Sequence, residues 1–356
     1  MAAFFVVYPL LETLVWIGLG LDGLFFRGYR RETVTAPVFI LGNPRSGTTF
    51  LHRLLAKDTK RFTTMRMWEI LFAPSIAQRA FFQALAPLAH LPGQSTAGKL
   101  TRLERHWYRK YGMHEISFRE PEEDDYLMLH IWSALSAGLS AGLIREALPY
   151  TYFDTALPAS ERKRILAFYK ACIQRHLHAC RLRRKSAPGI YLAKNPALCP
   201  KVRSVTETFP DARFIYLVRT PLEMVPSYIS MMKHSWRAVG VRGRREELCA
   251  YITAMARHWY GYPLEQLHAT QAEHVVVYYD DLVRDPEKTV RHIYRRLNLP
   301  IEAAFEQVLR QECTRVSHHK SRHKYDLAGT GMSRDELCRQ FKETFECFGF
   351  RDKQAS

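Results

Sequence analysis

Residues 40–51 read I-L-G-N-P-R-S-G-T-T-F-L, an apolar run that breaks at Gly42, turns, and resumes with Phe50, Leu51, Leu54 and Leu55 on one helical face. A strand joined to a helix by so short a glycine-bearing turn leaves the first backbone N–H groups of the helix, and the positive end of its dipole, at the strand end. Such a place holds an anionic oxygen cluster. Three further apolar runs, 190–193, 214–218 and 275–279, are each followed by helical periodicity. The alternation predicts an α/β fold, a P-loop-like parallel β-sheet flanked by helices on both faces. Nearly 150 residues separate the first two runs, too many for a plain crossover, so this helical insertion is expected to build a pocket beside the sheet. Ser333-Arg-Asp-Glu336 reads as a capping box opening a last helix, with Leu337, Phe341, Phe345 and Phe348 on its apolar side.

The loop departs from a nucleoside-triphosphatase loop in one residue type. G-x-x-x-x-G-K-[ST] would place lysine at position 48, which is Thr48; the cation is Arg45, inside the turn. A second departure agrees with it. Where such an enzyme ends a later strand in an acid that helps hold Mg²⁺, the strand R-F-I-Y-L-V ends in Arg219, followed by Thr220-Pro221. A metal-free site for a ligand with two separate phosphates accounts for both. Gly42 and Gly47 let the backbone come close, and Ser46, Thr48 and Thr49 add hydroxyl donors.

P-R-S-G-T-T at 44–49 resembles in full the first signature of sulfotransferases that use 3′-phosphoadenylyl sulfate (PAPS), in their bacterial and tyrosylprotein-type branch. The family's second signature, a strand ending in Arg with a Ser eight positions later, fits Arg219 and Ser227 in Y-L-V-R-T-P-L-E-M-V-P-S-Y. V-Y-Y-D-D-L-V-R-D-P-E at 277–287 is a weaker echo of its Y-E-D-L stretch, and the likeness covers about 37–300. The resemblance implies a sulfotransferase catalytic domain over 31–356 behind an apolar segment, 1–30, with the helical insertion forming the acceptor pocket. It also implies that Arg45, Ser46, Gly47, Thr48 and Thr49 grip the 5′-phosphosulfate of PAPS, that Arg219 and Ser227 hold the 3′-phosphate, and that PAP leaves as product with no metal required. A guanidinium fork suits a tetrahedral oxyanion and stays charged at physiological pH. Tyr279 is expected to stack on the nucleotide or to serve the core.

An acceptor hydroxyl needs a base within hydrogen-bond reach. Glu69, in M-R-M-W-E-I-L-F, lies 24 residues after Arg45, near where the tyrosylprotein-type branch carries its catalytic glutamate. Rivals are His114, Glu115 and the acidic run Glu120–Asp125, for which a solvated face is the plainer expectation. His90 follows a helical stretch and is discounted. Lys194, at a strand end, is a second cation for donor or acceptor if it is not simply exposed, and the basic stretch 317–325 reads as a solvated loop more readily than as a lid.

Lys plus Arg number 52 against 35 Asp plus Glu, a net charge of +17 that favours anionic partners. No nucleic-acid module is present, so nucleic acid is not expected as a partner. The seven cysteines form no CxxC pair and no zinc spacing, which fits a reducing, cytoplasmic compartment. Residues 1–26 are almost wholly apolar and are followed by Arg27, Arg30 and Arg31. Glu12 falls near their middle, where an acid costs about 2.5–3.5 kcal/mol on insertion scales, so the segment is expected to lie in a membrane interface on the cytoplasmic face. That contact and the aromatic-rich helices suggest a small-molecule or lipid-like hydroxyl acceptor. Two other classes fit parts of the pattern. A non-catalytic membrane-associated anion- or nucleotide-binding protein would keep the loop and Arg219 without a base, whereas a P-loop kinase would need the missing lysine and metal-binding acid.

Overall fold

Val38–Gly42 is buried at every position, which is what a strand covered on both faces requires. In the computed structural model, which describes residues 2–85, 118–184, 189–317 and 332–350, it forms β1. The other strands are β2 (Phe62–Thr63), β3 (Ile190–Lys194), β4 (Arg213–Val218) and β5 (Glu273–Tyr278). They pair in parallel in the order β2-β3-β1-β4-β5, with Ile40 opposite Lys194 on one side and Ile215 on the other. Alternate residues serve two cores. Phe39 and Leu41 of β1, with Phe214 and Tyr216 of β4, face one cluster, while Val38, Ile40, Ile215 and Leu217 face the second. The predicted α/β sheet, sandwiched between helical layers, is the observed one.

The helices that matter for the site are α1 (Ala2–Phe25), α2 (Thr48–Leu55), α3 (Met67–Leu71), α4 (Ile76–Leu85), α5 (Ala159–Arg184), α6 (Pro221–Ala238) and α7 (Tyr279–Arg284). All four strand readings fall on strands, but Tyr279 starts α7 instead of ending β5. β2 went unread because two residues carry no periodicity. Ser333 caps the C-terminal helix through Glu336 N at 3.1 Å, as its sequence suggests. That helix is broken at Phe341 into Arg334–Gln340 and Lys342–Phe348, a kink that lets both Phe341 and Phe348 reach the core.

The acids of α1 point inward. Glu12 accepts from His130 Nδ1 at 3.0 Å, and the fully buried Asp22 accepts from Ile76 N and Ala77 N, both at 2.9 Å, at the start of α4. Arg175 of α5 completes the Asp22 pair at 3.1 Å. The opposite face carries Val7, Leu10, Leu14, Ile17, Leu21 and Leu24, all exposed and spaced three and four apart, so one uncharged stripe runs from Val7 to Leu24.

Candidate functional site

β1 and β4 are neighbours whose onward connections leave in opposite directions along the sheet, and ligands of open α/β sheets bind outside the strand ends at such a switch point. Gly42 closes β1 with φ 144°, and a Cβ there would stand 2.4 Å from Leu217 O. Only glycine fits. Gly47, at φ 88°, starts α2 without a side-chain cap, and its missing Cβ leaves room for the Tyr279 ring, which a Cβ would approach to 2.9 Å. The opening N–H groups of α2 therefore carry no capping side chain and are available to an anion.

Arg45 takes φ 70°, a left-handed conformation that costs a residue with a side chain on the order of 1–3 kcal/mol. The distortion sets both ends of the residue. Its Nε donates to Ser227 Oγ on α6 at 3.0 Å, while its carbonyl accepts from Arg219 Nη1 at 2.9 Å. Arg219 is held on three sides: over the Tyr279 ring at 4.1 Å, to Glu223 at 2.9 Å, and through its own carbonyl, which accepts from the Tyr260 hydroxyl. Arg45, Gly47, Arg219, Ser227 and Tyr279 thus meet at one point of the fold, although they come from three separate stretches of chain. The Glu223 pair is the surface ion pair that a strand-end arginine would make in any protein, and an anion arriving here has to share the guanidinium with it.

Polar atoms in the turn lack partners. Ser46 Oγ and both side-chain polar atoms of Asn43 are buried and make no hydrogen bond among the described residues, and Asn195 Oδ1 beside them is in the same condition. An unpaired buried polar group costs about 1–3 kcal/mol, and the two donors among these atoms, Asn43 Nδ2 and Ser46 Oγ, argue for an acceptor that satisfies them. The tetrahedral oxygens of a phosphosulfate would accept from both, while the amide oxygens of Asn43 and Asn195 call for a donor instead. Asn43 escaped the sequence reading, and its signal was available: a polar residue between Gly42 and Pro44, inside the turn.

At the end of β3, Lys194 is almost wholly buried and donates to Glu123 Oε1 at 2.7 Å, with Glu122 at 3.8 Å. Asn195 N donates to Ile40 O at 3.1 Å, which fixes this corner against β1. Glu120 is exposed, but from Glu122 on the acidic run is not a solvated face. Glu122, Asp124 and Asp125 are buried, and Asp124 accepts from Tyr169, Tyr191 and Asn195. Burial nevertheless outweighs those three donors and pushes the Asp124 carboxyl up to about 6. Burial likewise raises Glu123 despite Lys194. His52, on α2, is driven down to about 3 by burial and by the Lys194 charge, so it is neutral.

Glu69 sits elsewhere, in a cavity of about 890 Å³ lined by α2, α3, α4, α5 and Ala303–Ser317. Its Oε2 accepts from Arg66 N at 2.8 Å and its Oε1 lies 3.5 Å from Arg79 Nη1. Burial works against its charge, but Arg79, His176 and the Arg66 N–H win, and the carboxyl is held below the usual glutamate range. No hydrogen bond or ion pair among those described joins Glu69 to residues 43–49. The link is the wall itself: Phe50, directly after Thr49 in the turn, lines the Glu69 cavity together with Trp68. His90, His114, Glu115 and residues 318–325 lie outside the described residues.

Comparison with known proteins bears on the family and the fold. Omega-hydroxy-beta-dihydromenaquinone-9 sulfotransferase Stf3, from Mycobacterium bovis and from Mycobacterium tuberculosis, is 28% identical over 282 residues, 75% of this chain and 64% of the relative. The match thus spans slightly under two thirds of those relatives' length. Among solved structures, sulfotransferase STF9 from Mycobacterium avium superimposes with a TM-score of 0.72 at 19% identity, over 95% of this chain and 83% of that one. STF1 from Mycobacterium tuberculosis H37Rv gives 0.60 at 19%, over 92% and 81%. At such identities these two likenesses speak to the fold. Residues 37–303 match the sequence profile of the sulfotransferase family, and with three quarters of its length inside that match the chain belongs to it.

Proposed function

We propose that the chain transfers a sulfuryl group from PAPS to the hydroxyl of a lipid-like acceptor, at the cytoplasmic face of a membrane. The observation that carries this reading is the meeting of Arg45, Arg219, Ser227 and Tyr279 around an uncapped helix start whose Ser46 and Asn43 side chains lack partners. PAPS supplies the activated sulfuryl group and a stable leaving phosphate. Everything else falls to the protein. The turn 45–49 holds the phosphosulfate oxygens, Arg45 donates to the oxygen on which charge builds as the bond breaks, and Arg219 with Ser227 takes the 3′-phosphate while Tyr279 keeps the guanidinium in plane. Glu69, ionised in its cavity, accepts the proton of the acceptor hydroxyl. A second reading rests on one observation: Glu123, whose pKa is raised, is bonded to Lys194 beside the turn and could take the same proton.

A site with places for two phosphates distinguishes ligands by the second one. PAP is expected to raise the melting temperature well above the shift given by AMP or ATP at equal concentration. Equal shifts from PAP and AMP would remove Arg219 and Ser227 from nucleotide binding.

The acceptor class follows from α1. Val7–Phe25 is long and apolar enough to cross a membrane, yet Glu12 and Asp22 tie its inner face to the domain, which leaves the outer stripe to lie along a bilayer with Arg27, Arg30 and Arg31 at its end. Phe81 and Phe82 of α4 are also exposed, and Phe82 packs edge-on against Trp68 at 6.0 Å, so an aromatic path leads from the surface to the Glu69 cavity. The relatives named above act, by their name, on a menaquinone derivative, which is a lipid. Leu14→Glu with Ile17→Glu changes only exposed positions and is expected to weaken co-sedimentation with anionic phospholipid vesicles at least about tenfold. Unchanged sedimentation would detach the stripe from any bilayer.

A further inference from the structure

Cys180 stands in the wall of the Glu69 cavity but has no part in the transfer described above. Its Sγ lies 3.4 Å from Thr63 Oγ1 and 3.7 Å from Nε2 of His176, one turn earlier on α5. The direction of this network follows from its far end. Arg79 Nη1 is 2.8 Å from His176 Nδ1, and because a guanidinium only donates, Nδ1 accepts and the ring proton sits on Nε2. Nε2 then donates to Thr63 Oγ1 at 2.8 Å, and the Thr63 hydroxyl is left to donate to sulfur. Three donors in series end on Cys180, an arrangement that suits a thiolate.

The charges around it agree. His176 and Arg183 share its helix, Arg79 comes from α4, Arg66 and Glu69 from the start of α3, and Arg315 with Glu312 from Ala303–Ser317. Burial alone would push the thiol up. The contacts of His176 and Thr63 and the Arg79 charge work against burial and hold Cys180 below the ordinary thiol range. Burial pushes the buried Cys172 and Cys199 up to about 12.

A second observation points to a ligand. Arg79 is 3% exposed, lines the same cavity, and its Nη2 donates to nothing among the described residues. A buried guanidinium N–H without an acceptor calls for an oxygen that the protein does not provide. Trp68 and Phe62 add flat apolar walls.

We propose that Cys180 is a nucleophilic modification site for conjugated carbonyl compounds, enones or quinones, held in this cavity with the carbonyl oxygen on Arg79 Nη2. The sulfur adds to the β-carbon and a C–S bond forms. The C=C π pair moves through the conjugated system to leave an enolate oxygen facing Arg79, and water then supplies a proton. Nothing leaves, and no oxidant or reductant is consumed.

The test uses the full chain, N-ethylmaleimide as the conjugated carbonyl, and mass mapping of the labelled cysteine, so it needs no sulfate transfer and stands apart from the function proposed above. Labelling of Cys180 is expected to level off below pH 8, while a free thiol such as N-acetylcysteine goes on rising about tenfold per pH unit towards about 8.5. A Cys180 rate still climbing through pH 8, or no label on Cys180 in the folded chain, would overturn the proposal. Thr63→Val keeps the shape and removes the last donor, so labelling at pH 6 should slow about tenfold; an unchanged rate would break the relay. Arg79→Lys should slow maleimide more than iodoacetamide, which forms no enolate, and equal slowing would remove the carbonyl from the ligand.

Discussion

Arg45→Ala is expected to lower turnover about 10²–10³-fold, the scale of losing one donor to a developing oxyanion. The side chain has no substitute. Arg219 is committed to Glu223 and to the Arg45 carbonyl, and Lys194 to Glu123, so neither cation stands free to move into the gap. The backbone complicates the choice of variant, because position 45 holds φ 70° and alanine tolerates that no better than arginine does. Arg45→Gly relieves the strain while removing the same guanidinium. The two variants should therefore lose the same activity while differing in stability, glycine being the more stable by roughly 1 kcal/mol. Arg45→Lys keeps the charge but not the fork and should fall between them and the parent. A direct sulfate-transfer assay reads this, and near-normal activity in Arg45→Ala would take Arg45 out of the mechanism.

The meeting of the residues proposed to bind the anion is legible because its pattern is written locally. Gly42, Arg45 and Gly47 lie within one turn, and Arg219 and Ser227 within two turns of one helix start, so spacing alone carries their relation. What spacing could not carry is the partner of each charge. Glu12 looked like a cost in an apolar segment, yet its partner is His130, 118 residues away, and the pairing turns the charge inward and leaves the outer stripe uncharged. A charge run such as Glu120–Asp125 is usually solvated; the donors that take Glu123, Asp124 and Asp125 out of water are Tyr169, Tyr191, Lys194, Asn195 and Lys201, all far along the chain. Tyr279 continues an apolar run that reads as a strand, but it is the first residue of a helix. That shift of one element is what brings its ring beneath Arg219. The sheet was legible for the opposite reason: strands buried on both faces are apolar throughout, whatever they pack against.

Glu69→Gln should lower kcat about 10²–10⁴-fold, the usual worth of a positioned general base, and leave the PAP-induced thermal shift intact. Glutamine is close in shape and can still accept from Arg66 N, so the start of α3 survives while the proton acceptor goes. The pH profile then separates Glu69 from Glu123, because a base works only when deprotonated and their surroundings move them in opposite directions. Arg79, His176 and the Arg66 N–H overcome burial and hold Glu69 below the ordinary glutamate range, so with Glu69 as base kcat/KM keeps its full value until the pH falls below that range. Burial lifts Glu123 above it, so with Glu123 as base the rate begins to fall at a higher pH. If Glu69→Gln keeps kcat and the acid limb of the parent lies high, the proton goes to Glu123. In that case Lys194, 2.7 Å from it, sets the basicity of the reaction, and Lys194→Met should move the limb higher still by removing the one charge that favours the carboxylate.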